Sequence, residues 1–278
     1  EEKTKDADVI VAEQGSNLRV YHWKSTEPEA GLPDATGFNN LDGDYLKKRG
    51  IAAYNVAGYS TNGVAQHTFA LLFYILEKLN YYDNYENPEN MQEEPVSPIR
   101  TEFLRAGWKT WGIIGLGAIG NRVAQIAKHL AAILSAIPLP GRNTIQNMKG
   151  KLDELLSRSD ILSVHAPLNG YTENLMTLEK FRKMKKSAIF LNLARGAIVN
   201  EPDLYTALTE APLQVQALMF FAKANESGNP LLKIQDSNKL IITPHIAWAA
   251  KETRFRVVDE VVKNIQRFQR DDRTNRVY

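Results

Sequence analysis

Between residues 111 and 243 short apolar runs alternate with stretches of helical periodicity. The runs lie at 111–114, 132–136, 161–165, 188–193, 215–221 and 240–243. Between several of them, 119–129, 178–184 and 202–210 place their apolar residues on one face of a helix. Uniformly apolar runs of this length read as strands buried on both faces. Strands that alternate with helices predict a parallel sheet covered by helices on both sides. Such sheets take ligands at the carboxyl ends of their strands.

The first 60 residues differ. Two short apolar runs, 9–12 and 52–56, stand among loops rich in Gly, Pro, Asn and Asp, too little for a complete layer. A long helix is expected over 62–79, with Val64, Phe69, Leu72, Phe73 and Leu76 on one face. The polar, Asn- and Pro-rich stretch 82–98 reads as a surface linker. Near the end, Phe255, Val258, Val261, Val262, Ile265 and Phe268 pattern a second amphipathic helix. Crossings near Ser60 and Trp248 divide the chain into residues 1–60 with 248–278, and residues 61–247.

Composition narrows the function. Thirty-four Lys and Arg against 32 Asp and Glu leave +2 and no basic stripe, which speaks against nucleic-acid binding. The absence of cysteine excludes a disulfide scaffold, a thiolate metal site and a thiol nucleophile. The longest apolar run, 69–76, is far short of the ~20 residues that span a bilayer. No signal-peptide pattern opens the sequence, so a cytoplasmic location is expected, with no membrane partner.

The sharpest chemical signal is Gly115-x-Gly117-x-x-Gly120, placed between the first strand of the alternation and the helix that follows it. The first glycine permits a tight turn. The second lets backbone approach a pyrophosphate, and the third lets helix and strand pack closely. Gly117, Ala118 and Ile119 then open a helix whose free N–H groups and dipole favour phosphate. A dinucleotide site is the expectation. The acidic residue that would hold the adenine ribose hydroxyls about 20 residues on is missing: no Asp or Glu lies between Asn121 and Leu152, and Ile137 stands in its place. Arg142, just beyond, suits either a ribose 2′-phosphate or a solvated loop, which leaves NAD and NADP both open.

With that turn placed, further segments fall into a known order. They are Ala35-Thr-Gly-Phe-Asn-Asn40, Lys48-Arg-Gly-Ile51, Asn55-Val-Ala-Gly-Tyr-Ser-Thr61, Val64-Ala-Gln-His67, Leu152-Asp-Glu-Leu-Leu156, His165-Ala-Pro-Leu168, Asn192-Leu-Ala-Arg-Gly196, Asn229-Pro-Leu-Leu232 and Thr243-Pro-His-Ile-Ala-Trp248. Over nearly its whole length the chain resembles the D-isomer-specific 2-hydroxyacid dehydrogenases, particularly the glycerate dehydrogenase (hydroxypyruvate reductase) branch. The resemblance implies an α/β protein in which a Rossmann-type doubly wound parallel sheet is inserted into a smaller flavodoxin-like α/β substrate domain. Family members usually begin with a further strand and helix, so the substrate domain reads as N-terminally truncated.

The resemblance also implies roles. Arg195 binds the carboxylate and carbonyl of a 2-keto acid, for which a forked, permanently charged guanidinium is suited. His245 gives a proton to the carbonyl as hydride arrives and takes it back in reverse. The family's third residue, a glutamate that raises the pKa of the histidine, aligns with Lys223, and an aspartate five positions earlier aligns with Leu218. Glu226, three residues on, is the remaining candidate acid; a cation at 223 would instead depress the imidazole pKa. Ala35, Thr36 and Gly37 would offer N–H groups to the substrate carboxylate or make a plain turn. Thr61 would lie near the cofactor or cap its helix, and Pro167 would line the adenine side. Ala194 and Ala247 would border the cofactor, and Trp248 would wall the substrate pocket or pack in the core. His22, His67, His129 and His165 read as packing or surface residues without metal-ligand spacing, so no metal site is expected.

The expectation is an NAD(P)-dependent oxidoreductase acting on small D-2-hydroxy and 2-keto acids of the glycerate and hydroxypyruvate kind, assembled as a homodimer through its nucleotide domains. The alternative is a dinucleotide-binding, catalytically impaired regulatory relative, for which Lys223 is the main support.

Overall fold

In the computed structural model the described residues are 9–12, 30–33, 36–38, 41–85, 105–137, 145–210, 215–218, 228–236 and 239–278. They fall into two compact units, Glu1–Ser60 with Trp248–Tyr278, and Thr61–Ala247.

The larger unit holds a six-stranded, wholly parallel sheet. In chain order its strands are β4 (Thr110–Ile114), β5 (Ile133–Ile137), β6 (Ile161–Val164), β7 (Ile189–Asn192), β8 (Val215–Leu218) and β9 (Leu240–Ile242). In space they run β5-β4-β6-β7-β8-β9. Each of the six apolar runs of the alternation overlaps one of these strands, with 219–221 outside the described residues. The order reverses at β4, which has β5 on one side and β6 on the other, so the crevice of an open α/β sheet lies at the carboxyl ends of β4 and β6.

Helices cover both faces. α2 (Thr61–Leu76) and α4 (Ala118–His129) pack on one side, over a core that includes Phe69, Leu72, Trp111, Ile113, Val123, Ile161 and Leu191. α5 (Ile145–Arg158), α6 (Leu178–Lys183) and α7 (Glu201–Thr209) bring Leu156, Phe181 and Leu204 to the other, where Ile114, Leu162, Val164 and Phe190 await them. Alternate residues of β6 thus serve opposite cores, which is why its sequence shows no polar face.

The long helix is shorter than expected. It ends at Leu76, and a second helix, α3 (Leu79–Tyr85), takes up the start of the stretch read as linker; residues 86–98 lie outside the described set. Phe73 is more than a third exposed and does not join the core face, whereas Ala65, Thr68, Leu71 and Ile75 do.

The smaller unit carries a parallel three-stranded sheet of β1 (Val9–Ala12), β2 (Ala30–Pro33) and β3 (Ala52–Ala53), with α1 (Gly43–Arg49) and the terminal helix α8 (Lys251–Gln269). On α8 the apolar set expected from the sequence mixes two stripes, of which one is buried. Phe255, Val258 and Val262 are exposed, while Val257, Val261, Ile265 and Phe268 face apolar neighbours. A polar residue fixes this rotation. Asn264 is fully buried and donates from Nδ2 to the Asn55 carbonyl at 2.9 Å.

Candidate active site

Everything chemical in the larger unit gathers at the carboxyl ends of β4, β6, β7 and β9. At the end of β4 the three glycines meet three different needs. Gly115 has φ +97° and lies against the His165 carbonyl and the Ala166 nitrogen; a Cβ there would come within 2.9 Å of both. A Cβ on Gly120 would collide with the Gly115 carbonyl oxygen, so this glycine sets how closely α4 approaches the strand. At Gly117 a Cβ would meet nothing within 4 Å. No contact among the described residues requires glycine at that position, whereas the backbone there is left bare. Gly117 caps α4 without any side-chain hydrogen bond, so the N-terminal N–H groups and their partial positive charge face outward. Turn, bare cap and helix end fit a dinucleotide pyrophosphate, with Gly117, Ala118 and Ile119 as its backbone donors.

β6 ends in His165, whose backbone N–H donates to the Ile114 carbonyl at 2.8 Å. Its ring is buried, and neither Nδ1 nor Nε2 has a hydrogen-bond partner among the described residues. Burial pushes its pKa down to about 3, so the ring is neutral. Pro167, next along, is exposed, and its carbonyl accepts from the Thr172 hydroxyl at 2.6 Å.

β7 ends in Asn192, which is buried and organises the turn that presents Arg195. Asn192 Oδ1 accepts from the Ala194 N–H at 3.2 Å, and Nδ2 donates to the Arg195 carbonyl at 2.9 Å. The guanidinium itself donates to the Ala194 carbonyl at 2.9 Å and is half-buried. Ala194 is buried beside it.

β9 leads through Thr243 and Pro244 to His245, which is half-buried. The His245 N–H donates to the Thr243 carbonyl at 3.0 Å, a γ-turn centred on Pro244. His245 then takes φ +33°, a left-handed conformation disfavoured for a residue with a Cβ. Its pKa falls to about 4, first because burial disfavours the charged ring and then because the Arg195 charge bears on it. Arg195 and His245, fifty positions apart in sequence, are therefore brought into electrostatic reach. Ala247 is buried under the same sheet end with Leu191 and Leu193.

One residue escaped the sequence reading. His67, halfway along α2, places Nε2 3.2 Å from Thr243 Oγ1. Nothing in its spacing announces this, because the contact joins positions 176 apart. His129 stays a surface residue, with its ring on the Gln125 carbonyl of its own helix.

In the smaller unit Thr36 and Gly37 form a pinned loop. Thr36 Oγ1 donates to the Val56 carbonyl at 2.7 Å, and Asn55 Nδ2 donates to the Thr36 carbonyl at 2.8 Å. Trp248 packs with Val56, Tyr59 and Val257. Thr61 is the first residue of α2. The position at the end of β5 where an acid would hold ribose hydroxyls is Ile137, buried in the core. Ala35, Arg142, Lys223, Glu226 and His22 lie outside the described residues, as does the side chain of Leu218.

Comparison with known proteins shows the family. Residues 69–247 match the profile of "D-isomer specific 2-hydroxyacid dehydrogenase, NAD binding domain". A hydroxypyruvate reductase from Blautia hydrogenotrophica is 34% identical over 239 residues, covering 84% of this chain and 73% of the relative. A solved structure of D-lactate dehydrogenase from Aquifex aeolicus, complexed with NAD and lactic acid, superposes with a TM-score of 0.85 at 26% identity, covering 99% of this chain and 88% of that one. An acyclic imino acid reductase in complex with NADPH and D-Arg also gives 0.85, at 27% identity and 100% and 87% coverage. No helix among the described residues is long and apolar enough to cross a membrane.

Proposed function

Since the chain belongs to the D-isomer specific 2-hydroxyacid dehydrogenases, we propose that it reduces small 2-keto acids such as hydroxypyruvate or glyoxylate, and oxidises the D-2-hydroxy acids they form. The observation that carries this reading is that the Arg195 charge bears on His245 at the end of the sheet that also carries the glycine turn. When bound, the nicotinamide supplies or accepts the hydride at the substrate C2.

The chain's own residues do the rest. Arg195 meets the substrate carboxylate and the carbonyl oxygen with its forked donors, which fixes the acid and draws charge toward the carbonyl. His245 transfers the proton. Burial and the Arg195 charge hold its pKa at about 4, so it is neutral at pH 7, the form that takes a proton during oxidation. Reduction needs the protonated ring. An anionic substrate seated on Arg195 offsets one of the two causes that depress His245, so binding the acid moves the imidazole toward the form that donates. Thr36 and Gly37, held by Asn55 and Val56, are the loop proposed to give the substrate carboxylate backbone N–H groups, and Trp248 the residue proposed to limit substrate size.

The cofactor preference follows from charge. Ile137 presents no carboxylate to hold ribose hydroxyls or to repel a 2′-phosphate, and the sequence from Asn121 to Leu152 has no acidic residue. We therefore expect NADPH to be accepted alongside NADH, with Arg142 as the group that favours it. A homodimer in the cytoplasm completes the proposal.

A second reading, a dinucleotide-binding relative with impaired turnover, is favoured by one observation, the low pKa of His245 together with a lysine at position 223. Following NADH and NADPH absorbance with hydroxypyruvate, glyoxylate and pyruvate separates the two. Turnover that Arg195→Gln lowers on the order of 100-fold in kcat/KM supports the enzyme. Tight cofactor binding with no oxidation of either cofactor supports the second reading.

A further inference from the structure

A histidine at φ +33° persists only where its surroundings hold it, because the left-handed region is disfavoured for a residue with a Cβ. The restraint has two visible parts. The γ-turn from the Thr243 carbonyl to the His245 N–H bends the chain at 3.0 Å, and the Thr243 side chain reaches across to His67 at 3.2 Å. His67 sits on α2, a sixteen-residue helix whose neighbouring Val64, Ala65, Thr68 and Leu71 are buried in the core shared with β4 and β7. The strand exit is thus tied, by a side chain, to a rigid element packed into the core. Burial holds the His67 pKa below its ordinary value. Its ring at neutral pH is uncharged, able to donate to or accept from the hydroxyl, and adds no second cation near His245.

We propose that His67 is a positioning residue for His245: through Thr243 Oγ1 it fixes the exit of β9 and with it the aim of the imidazole. The proposal rests on the reading of His245 as the proton-transfer group. A misplacement of about an ångström at such a group costs up to 100-fold in rate. Loss of one neutral hydrogen bond that only aims the ring is expected to cost about tenfold.

The test uses the full chain with Thr243→Val, which keeps the shape and removes the hydroxyl, His67→Leu, His67→Gln, which returns a polar atom near the position of Nε2, and the Thr243→Val/His67→Leu pair. Each single apolar variant is expected to lower kcat about tenfold while the dissociation constant for NADH stays within about twofold. The pair should be no worse than either alone, since both remove the same contact. His67→Gln should recover most of the rate. Independently of turnover, the His245 ring resonances are expected to shift in Thr243→Val and His67→Leu and to return in His67→Gln. Unchanged His245 resonances in every variant, or losses in the pair that multiply, overturn the proposal. His245→Gln in the parent separates the two levels. If it leaves turnover intact, the proton-transfer reading has failed; if it abolishes turnover while Thr243→Val and His67→Leu leave kcat unchanged, only the positioning role has.

Discussion

Two glycines five residues from the first of the turn's three, or nearer, can be told apart by what a methyl group would touch. At Gly120 the collision with the Gly115 carbonyl has no relief short of moving α4, so Gly120→Ala is expected to lower the unfolding temperature by several degrees. At Gly117 the space is open, so Gly117→Val should keep the wild-type melting temperature and lose cofactor binding. Differential scanning calorimetry with and without NADH measures both; equal destabilisation by the two variants would remove the argument that Gly117 serves a ligand. His165 makes the second residue-scale case. Its folded pKa of about 3 lies below the 6.5 of the free side chain. Above pH 6.5 the ring is neutral in both states and costs nothing. As pH falls from 6.5 toward 3 only the unfolded chain takes up the proton, so stability drops, by on the order of 4 kcal/mol at the lower limit. Replacing His165 by Leu removes both the titration and two unpartnered nitrogens. Urea unfolding at pH 5 and pH 8 should therefore show His165→Leu more stable than the parent, with the larger gain at pH 5. A larger gain at pH 8 would contradict the cause given for the shift.

Among the elements, α8 shows where apolar periodicity runs out. Its sequence carries two apolar stripes, and the choice between them falls to Asn264, which no hydrophobic pattern counts. Nδ2 of Asn264 donates to the Asn55 carbonyl, while Oδ1 accepts from Arg267 at 2.7 Å and from Asn275 Nδ2 at 3.2 Å. Arg267 also donates to Glu260 at 2.6 Å, and that bond holds the Glu260 carboxyl below its ordinary range. Asn264→Leu takes the Nδ2 donor from the buried Asn55 carbonyl and leaves Arg267 and Asn275 bonded to Glu260, and is expected to cost about 1–3 kcal/mol in urea unfolding, beyond an apolar swap at the exposed Phe255. Because Asn55 in turn holds Thr36, the same variant should raise KM for the keto acid; unchanged KM would detach this network from the substrate loop. The six strands of the larger sheet were legible in the sequence because apolar residues dominate each run; β4, β6 and β7 are buried almost throughout, and β5, with Ile133 exposed at the sheet edge, keeps the apolar character. β2 was not, since Ala-Gly-Leu-Pro reads as a turn, and α5 was obscured by Gly150 within it. In the site, the glycine turn announces itself by local pattern, and Arg195 only through the family resemblance of its segment. His67 and Asn192 do not, because their meaning lies in a contact across the fold and in a turn closed by its own side chain.

At the scale of the molecule, the two units differ in how their sheets are protected, and amide exchange should read that difference. β6 is buried along its whole length and flanked by β4 and β7, so its hydrogen bonds break only when two neighbours separate. In the smaller unit β3 pairs through two residues, and Val11 of β1 is half exposed. Opening there costs fewer buried contacts, and exchange from a sub-global unit is faster than from the strands that unfold last. The slowest amides are therefore expected in β4, β6 and β7, with β1–β3 exchanging earlier. NADH at 100 times its dissociation constant stabilises whatever part must be folded to bind it by about 2.7 kcal/mol. With the pyrophosphate seated at the α4 cap, the added protection should be greatest from Gly115 to Gly120 and spread through β4 and β6, the strands on which that turn rests. Were β1–β3 to exchange as slowly as β6, or were NADH to protect them while leaving Gly115–Gly120 unchanged, the division of the chain into a nucleotide-binding unit and a smaller unit that carries the substrate loop would have to be redrawn.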